Sequence, residues 1–405
     1  MNAIVLGNGG SGKAAAELLR CEGFAVSILD GEDAWPDGTC DLCVTSPGVP
    51  LTHPWHVAAR AAGVPVISEL QLGAERYRAM GGRMLAVTGS KGKSSVVKLV
   101  ADALGGVPCG NYGKPLCEVA SNSQLPTLNS QLKWAVVEVS SFQMETTELP
   151  PDTFEAAAVL NLQEDHLDRH GSAEAYHALK RHLLDFAKVK VSGDALADGA
   201  DDALFAGSYF DNPVLKVNGR CAAALMRAAG LDDAEIRAAF ARFVPLPHRM
   251  QTGGTFGGVE WIDDSKATSM AALVAGVTMA AARMPDGAPR VRLIAGGLPK
   301  GDDPAMALEC LAKHVRKAYL IGQCAAALEA AWRDTVPCEM CGTLERAVES
   351  AANDAREGDC VLLSPGTASF DQFKSYGERG DRFAEEVRKA EGLECDSEPT
   401  KENGR

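Results

Sequence analysis

The stretch Leu85-Ala86-Val87-Thr88-Gly89-Ser90-Lys91-Gly92-Lys93-Ser94-Ser95 decides the fold of the central part of the chain. Its apolar start is typical of a buried strand. Its glycines let the backbone curl so that successive N–H groups point at phosphate oxygens. Lys93 would place a cation on the outer phosphates, and the hydroxyl of Ser94 or Ser95 would reach Mg2+. The predicted ATP-binding residues of this loop are Gly89, Ser90, Lys91, Gly92, Lys93, Ser94 and Ser95.

A second glycine-rich motif lies near the N-terminus. An apolar run at 3–6 leads into Gly7-Asn8-Gly9-Gly10-Ser11-Gly12, and an alanine-rich helix from about 13 to 21 precedes a strand at 25–29. Strand, glycine turn, helix and strand form a βαβ unit. With Asp30 at the end of the second strand, the motif would suit a dinucleotide, although a glycine motif of this length is a weak signal by itself.

The rest of the chain continues the alternation of strands and Ala-rich helices. Further strands are predicted at 134–139, 156–162, 291–295, 318–321 and 360–363. This alternation predicts the α/β fold class with mostly parallel sheets in three domains. The predicted parts are a Rossmann-like domain at 1–83, a central phosphate-loop domain at 84–246, a Rossmann-like C-terminal domain at 247–390 and a polar, disordered tail at 391–405.

Composition and charge narrow the class of protein. The 405 residues are 46% hydrophobic and 23% charged, which is enough for several cores, and the formal net charge is -14. An acidic surface argues against broad binding to nucleic acid or to a membrane surface. We find no basic start followed by an apolar stretch and no run long enough to span a bilayer, so we expect a cytoplasmic protein.

The twelve cysteines show no paired framework, so reduced thiols are expected. Cys338-Glu-Met-Cys341 is a CxxC motif, and no second pair lies near it in the sequence. A zinc or redox role would need such a pair, so we favour buried or surface thiols at this motif.

Two polar clusters follow predicted strands in the central domain. Glu138 ends the apolar run before Ser140-Ser141-Phe142-Gln143, which is where an α/β nucleotide enzyme holds its metal. Six ionisable side chains crowd the stretch 161–170, which is costly unless charges are paired or metal-bound. We interpret His166 as a candidate Mg2+ or orienting ligand and His170 as a surface residue.

At these residues the sequence resembles the Mur ligases, the enzymes that build the peptide of bacterial cell-wall precursors. The matching motifs run through most of the chain: Gly89–Ser95, Gly110–Gly113, Glu138–Thr147, Asn161–Arg169, Leu246–Arg249, Asp264–Thr268, Gly296–Gly301 and Leu363–Gly380. The run Ser369-Phe370-Asp371-Gln372-Phe373-Lys374, continuing to Glu378-Arg379-Gly380, is the most specific to the glutamate-adding branch of the family.

The resemblance implies an ATP-dependent ligase. The carboxylate of UDP-MurNAc-L-Ala would attack the γ-phosphate of ATP, and the amine of D-glutamate would then displace phosphate from the acyl phosphate. No enzyme nucleophile is needed, so catalysis would be mostly positioning and charge neutralisation by cations. Two Mg2+ ions are expected, and we expect a monomer.

The resemblance also implies the roles of individual residues. It assigns Lys93, Glu138, His166 and Lys180 to catalysis, and Ser94, Ser95, Glu138, His166 and a carbamylated Lys180 to metal. Further ATP contacts would be Asn218, Arg249, Asp264 and Lys266. UDP-substrate contacts would be Gly9, Gly10, Ser11, Asp30, Ser46, Asn111, Ser140 and Gln143. The amino-acid pocket would contain Thr268, Lys300, Ser369, Phe370 and Tyr376.

Some positions depart from the family pattern. Lys91 stands where Asn is usual and Ser95 where Thr is usual, and both changes are chemically mild. Val87 stands at the position of the first glycine of a conventional eight-residue phosphate loop. Val214 and Leu215 stand where a His-Asn pair is usual before Asn218, which bears on the adenine contacts rather than on the phosphate chemistry.

Three alternatives remain open at this point. One is another ligase of the same superfamily, including a folylpolyglutamate synthase-like enzyme. Another is a nicotinamide-dependent oxidoreductase, which would use the N-terminal glycine motif but leaves the Lys93 loop unexplained. The third is a catalytically impaired nucleotide-binding homologue, motivated by the compressed segment at about 188–215.

Overall fold

The computed structural model describes residues 1–36, 38, 40–123, 133–163, 166–196, 199, 201–284, 288–390 and 392. The chain forms two compact units. The first contains Met1–Asp211 with Leu215–Phe243, and the second contains Asn212–Val214 with the described residues from Val244 onward. Among the described residues, no helix combines the length and the apolar character needed to cross a bilayer.

The N-terminal part of the first unit is a four-stranded parallel sheet in the order β2-β1-β3-β4. Its strands are β1 (Asn2–Leu6), β2 (Ala25–Leu29), β3 (Leu42–Thr45) and β4 (Val66–Ser68). Its helices are α1 (Gly10–Cys21), α2 (Pro54–Ala61) and α3 (Glu69–Ala79). The strand order reverses between β1 and β3, and a parallel sheet binds its ligand in the crevice beyond the carboxyl ends at such a point.

The second sheet of this unit has five parallel strands in the order β6-β7-β5-β8-β9. Its strands are β5 (Met84–Thr88), β6 (Val107–Gly110), β7 (Ala135–Glu138), β8 (Phe154–Val159) and β9 (Ala187–Ser192). Its α-helices are α4 (Lys93–Leu104), α5 (Leu116–Ser123), α6 (Ser141–Met144), α7 (Leu167–His170), α8 (Ala173–His182), α9 (Lys216–Ala228) and α10 (Asp233–Arg242). Buried side chains of both sheets join in one hydrophobic core, which contains Val5 and Val44 from one sheet and Ala86 and Val137 from the other.

The second unit has a six-stranded sheet in the order β10-β11-β15-β12-β13-β14. Its strands are β10 (Gln251–Phe256), β11 (Val259–Asp263), β12 (Val291–Gly296), β13 (Val315–Ile321), β14 (Cys338–Gly342) and β15 (Cys360–Leu363). Its α-helices are α11 (Met270–Ala281), α12 (Leu308–His314), α13 (Ala325–Trp332), α14 (Leu344–Asp354) and α15 (Tyr376–Ala390). Ile294, Tyr319 and Val361 lie in its core.

The α/β class with mostly parallel sheets is confirmed, and β2 and β15 have the predicted bounds. The sheet of the second unit includes an antiparallel pair, β10 with β11. The turn between them is Gly257-Gly258, with both φ values positive, and such a turn favours a hairpin. The domain boundaries at 83/84 and 246/247 stay predictions, and the predicted tail from 391 lies outside the described residues apart from Gly392.

Glu69 is a buried carboxyl group in the middle of the first unit. It is the first residue of α3 and is 1% exposed. Its Oε1 accepts a hydrogen bond of 2.7 Å from the backbone N–H of Cys117 on α5, whereas its Oε2 is buried without a partner among the described residues. Burial raises the pKa of Glu69 to about 7, so the folded protein favours the neutral acid.

We expect Glu69 to make the stability of the first unit pH-dependent. The pKa of Glu69 is higher in the folded than in the unfolded protein. The neutral carboxyl group therefore makes its full contribution to the free energy of unfolding below about pH 4.5, and this contribution is lost as the pH rises through about 7. Glu69→Gln removes this ionisation, so its free energy of unfolding should not fall in this way. From pH 5 to pH 8, the free energy of unfolding of the variant relative to wild type should increase by up to about 3 kcal/mol. Urea unfolding of both proteins at the two pH values measures the difference.

The matched control is Glu118→Gln, which changes an exposed carboxylate on the neighbouring helix α5 that pairs with Lys114. Its effect on the free energy of unfolding should stay within about 0.5 kcal/mol at both pH values. A Glu69→Gln effect that is the same at pH 5 and pH 8 would contradict a neutral buried acid.

Candidate active site

The loop between β5 and α4 has a backbone that only glycine can adopt at two positions. Gly89 has φ +148 and Gly92 has φ +84. A Cβ on Gly89 would lie 3.0 Å from the Cβ of Leu160, and one on Gly92 would lie 2.0 Å from Nδ2 of Asn218. The predicted glycine loop is therefore present directly after a fully buried strand, and α4 begins at Lys93.

Asn161 holds this loop from the end of the neighbouring strand β8. Its Oδ1 accepts a 2.9 Å hydrogen bond from the N–H of Lys91, and its Nδ2 donates to the Lys91 carbonyl at 2.8 Å. The same Nδ2 donates to Oδ1 of Asn218 at 3.1 Å. Asn218, a predicted ATP contact, is 2% exposed and lies on α9, so in this structure it supports the loop.

Ser90 fixes the other side of the loop. Its hydroxyl donates to the Gln163 carbonyl at 3.0 Å and accepts from the Gln163 N–H at 2.9 Å. The Tyr176 hydroxyl lies 3.2 Å from the same oxygen. Because these groups engage the hydroxyl, the side chain of Ser90 shapes the loop.

Two lysines converge on one carbonyl of the loop. The ammonium of Lys93 donates to the Gly89 carbonyl at 2.8 Å and to the Ser90 carbonyl at 3.1 Å. The ammonium of Lys180 on α8 donates to the same Gly89 carbonyl at 3.0 Å. Lys180 is 1% exposed and lies over the ring of Tyr176, so the structure places it in the interior beside the loop. Two ammonium groups at one carbonyl of the loop are compatible with a bound anion.

Glu138 lies at the carboxyl end of β7, in register with Val87 of β5. It is 3% exposed, and its Oε1 accepts a 2.8 Å hydrogen bond from Nδ2 of Asn111. Its Oε2 is buried without a hydrogen-bond partner among the described residues. A buried carboxylate oxygen in this state is costly unless a cation or water satisfies it, so Glu138 suits a metal ligand.

Protein side chains alone do not form a metal cage in the described part of the chain. It contains no group of three or more His, Cys, Asp or Glu placed to hold a metal ion. Mg2+ commonly takes only one or two protein ligands and completes its shell with phosphate oxygens and water, so a nucleotide-bound Mg2+ needs fewer.

The helix α7 places His166 and His170 beside aromatic rings. His166 is exposed at the N-cap of α7 with φ +53, and its ring centroid lies 4.8 Å from that of Phe142. The prediction that His170 is a surface residue is wrong, because its side chain is only 3% exposed. Its Nε2 lies 3.0 Å from the hydroxyl of Ser141, and burial lowers its pKa.

The N-terminal glycine motif forms a close turn at the carboxyl end of β1. Gly7 has φ +90, and a Cβ on Gly12 would lie 1.9 Å from the Gly7 carbonyl, so both positions require glycine. The hydroxyl of Ser46, from the loop after β3, donates to the Gly7 carbonyl at 3.4 Å. Gly9, Gly10 and Asp30 are exposed around this crevice and Ser11 is half-buried at the start of α1, as a ligand site would require.

Ser140 and Gln143, both predicted substrate contacts, bond to each other. The hydroxyl of Ser140 accepts from the Gln143 N–H at 3.2 Å, and Oε1 of Gln143 accepts from the Ser140 N–H at 2.9 Å. This is a capping box that starts α6. The side chains of both residues therefore cap helix α6, and that of Gln143 is buried, with the residue 2% exposed.

In the second unit, Asp264 follows β11 directly and is 8% exposed. Its carboxylate accepts from the hydroxyl of Ser364 at 3.0 Å and from the N–H of Met250 at 3.3 Å. Burial raises the pKa of Asp264 to about 7, and Arg249 opposes this rise. The ammonium of Lys266 lies 3.9 Å from the ring centroid of Tyr376, a cation–π contact. The predicted ATP contacts Asp264 and Arg249 therefore lie near each other, and Lys266 lies beside Tyr376 of the predicted amino-acid pocket.

Arg379 has a role that the sequence did not reveal. It is fully buried and donates to Ser265 through Nε and Nη2, at 3.0 and 2.9 Å, and to the carbonyls of Thr367 and Ala368. Burial lowers its pKa to about 10, which leaves it charged at neutral pH. It thus ties the segment before Thr268 to the segment before Ser369, two of the segments that carry the predicted amino-acid pocket.

The residues of that pocket differ in exposure. Ser369 is 2% exposed, whereas Phe370 is 68% and Tyr376 37% exposed. Lys300 is exposed beyond the carboxyl end of β12, and Thr268 is half-buried just before α11. The bridge between Leu298 and Ala368 places the segment that precedes Lys300 next to the segment of Ser369. A cation and hydroxyl groups are the donors that a carboxylate ligand needs.

Family models match both halves of the chain. Residues 87–205 match the model described as the Mur ligase middle domain. Residues 248–366 match the model described as the Mur ligase, glutamate ligase domain.

Curated relatives match nearly the whole chain. The UDP-N-acetylmuramoylalanine–D-glutamate ligase of Frankia casuarinae is 36% identical, with 96% of this chain and 94% of that protein covered. The ligases of the same name from Chlamydia abortus and Sphingopyxis alaskensis are 32% and 36% identical, with at least 94% of each chain covered.

Solved structures share the fold at low sequence identity. A MurF ligase from Thermotoga maritima in complex with ADP has a TM-score of 0.58 at 15% identity, with 87% of this chain and 95% of that chain covered. The UDP-N-acetylmuramate-alanine ligase of the same organism has a TM-score of 0.56 at 16% identity, with 96% and 100% covered.

We expect Gly92→Ala to weaken the binding of Mg-ATP by at least about tenfold, since strain at a positive φ and the clash with Asn218 both distort the loop. The control is Gly105→Ala, at the other end of α4, where φ is +57 and the added methyl group meets no atom within 4 Å. Calorimetric titration with a non-hydrolysable ATP analogue measures both. Equal affinities for the two variants would contradict the assignment of the loop.

Proposed function

The chain belongs to the Mur ligase family, and we propose that it joins D-glutamate to UDP-N-acetylmuramoyl-L-alanine at the expense of ATP in peptidoglycan precursor synthesis. The observation that carries the proposal is the 32–36% identity, over nearly the full length, to ligases of that specificity. The other functions considered from the sequence have no comparable support. Because ATP and a UDP-linked precursor are the substrates, we also propose that the enzyme acts in the cytoplasm. We further propose that it is a monomer.

The loop after β5 is suited to the first step of this reaction. A substrate carboxylate oxygen attacks the γ-phosphorus of ATP, ADP leaves, and an acyl phosphate forms. Lys93 holds positive charge beside the Gly89 carbonyl, where the transferred phosphoryl group would carry negative charge. In the second step the amine of D-glutamate attacks the carbonyl carbon, and the phosphate leaves with the bridging oxygen.

Mg2+ fits the residues beside this loop. Glu138, whose Oε2 is buried without a hydrogen-bond partner among the described residues, and the hydroxyl of Ser94 or Ser95 would hold the first ion. His166 and a carbamylated Lys180 would hold the second. When bound, the ions would neutralise charge on the phosphate oxygens.

Carbamylation of Lys180 would solve a charge conflict. The ammonium lies buried beside Lys93 at the Gly89 carbonyl, where a second metal ion would be repelled. A carbamate keeps an N–H donor and supplies an anionic oxygen. We expect a carbamate carbon-13 resonance from labelled bicarbonate in wild type and in Lys98→Arg, and its loss in Lys180→Arg. Wild-type protein without such a resonance would contradict the modification.

The two remaining substrates have separate candidate sites. The crevice at Gly9, Ser46 and Asp30 would bind the UDP-linked substrate at the switch point of the first sheet. In the second unit, Lys300 and Ser369 would bind the carboxylates of D-glutamate.

Phosphate release with single amino acids tests the function. With ATP, Mg2+ and UDP-N-acetylmuramoyl-L-alanine, we expect D-glutamate to stimulate release at least about a hundredfold over L-glutamate or diaminopimelate. With the amine placed for attack, these two amino acids cannot bring both carboxylates to the positions that those of D-glutamate occupy. Stimulation by L-glutamate or diaminopimelate but not by D-glutamate would overturn the proposed specificity. No release with any amino acid would favour a catalytically impaired homologue.

A further inference from the structure

Arg169 joins the two sheets of the first unit through one guanidinium group. It lies on α7, three residues after His166. Its Nε and Nη2 donate to the two carboxylate oxygens of Glu145, at 2.9 and 2.5 Å. Its Nη2 also lies within hydrogen-bond distance of the carbonyls of Pro47 and Val49, at 3.4 and 3.3 Å. This side chain therefore links helix α7 of the central part to the loop after β3.

The ion pair behind this contact is largely buried and has further partners. The side chains of Arg169 and Glu145 are 17% and 7% exposed. Nδ1 of His170 lies 3.5 Å from Glu145, and its Nε2 lies 3.0 Å from the hydroxyl of Ser141. Ser141 opens α6, three residues after Glu138. A buried polar network with each member bonded is rigid, so it can fix the distance between the groups at its ends.

The turn that Arg169 reaches lies at the substrate crevice of the first sheet. Residues 46–49 follow β3, and the Val49 N–H donates to the Ser46 carbonyl at 3.1 Å. A Cβ on Gly7 would lie 3.2–3.3 Å from side-chain atoms of Ser46 and Val49, so the turn packs closely on the glycine motif. The guanidinium group of Arg169 holds the carbonyls of Pro47 and Val49 in one orientation. The turn is therefore ordered before a ligand binds.

We infer that Arg169, anchored by Glu145, is a positioning residue for the UDP-linked substrate: it fixes the turn 46–49 relative to the phosphate loop. The inference rests on the proposed function, in which the crevice of the first sheet holds the UDP moiety. A merely structural ion pair would stabilise the unit without changing affinity for one substrate. Arg76 supplies the comparison, because it also pairs with a carboxylate through two bonds, with Glu22, but contacts no residue of the turn.

The test compares Arg169→Lys with Arg76→Lys. Lysine keeps the charge opposite each glutamate, but its single ammonium lacks the planar fork that serves a carboxylate and two carbonyls together. For Arg169→Lys we expect the Kd for UDP, by calorimetry, and the KM for UDP-N-acetylmuramoyl-L-alanine to rise about tenfold, with the KM for ATP within about twofold. Arg76→Lys should change none of these constants by more than about twofold.

A double variant guards against misfolding. Arg169→Gln combined with Glu145→Gln leaves no unpaired buried charge, and it should fold and show the same selective loss. Equal rises in the KM for both substrates, or unchanged UDP affinity in a folded variant, would overturn the positioning role, as would wild-type protein that does not bind UDP. If wild type binds UDP but releases no phosphate with D-glutamate, the proposed reaction fails while the ratio of UDP affinities still decides the role of Arg169.

Discussion

The hydrogen bonds of the Asn161 carboxamide are the interaction on which the proposed nucleotide site depends. The carboxamide bonds both backbone groups of Lys91 and the side chain of Asn218, so it fixes a loop that has no regular secondary structure of its own. Gly89 and Gly92 supply positive φ values that the loop needs, and the space above Gly92 is already taken by Asn218. The loop is thus prepared before a ligand arrives, which lowers the cost of binding phosphate.

Charge in the interior gives this loop its chemistry. Lys93 and Lys180 converge on the Gly89 carbonyl, and Glu138 ends the adjacent strand with one oxygen unsatisfied by the described residues. Each group is costly to bury alone, since the low dielectric of the interior strengthens repulsion as well as attraction. In the proposed reaction, phosphate oxygens and a cation would lie near these groups, so substrate binding would offset part of this cost.

The sequence predicted what is set locally and missed what is set by distant partners. The phosphate loop and the Gly7–Gly12 turn follow from glycine spacing after apolar strands, and both are present. His170 was misjudged because its burial comes from Ser141 and Glu145, on a segment about 25 residues earlier in the chain. The reach of Arg169 to Pro47 spans 122 residues, and no local pattern reports such a contact. The Gly257-Gly258 turn is a local indication of the β10–β11 hairpin. The predicted alternation of helices and strands did not include this hairpin.

The central claim is that the loop after β5 activates a substrate carboxylate by phosphoryl transfer from ATP. The most direct measurement follows oxygen-18 from the labelled L-alanyl carboxylate of UDP-N-acetylmuramoyl-L-alanine through one turnover with D-glutamate. An acyl phosphate requires that one labelled oxygen appears in the released phosphate, since the bridging oxygen leaves with phosphorus. Phosphate without label, formed together with the amide product, would contradict the account.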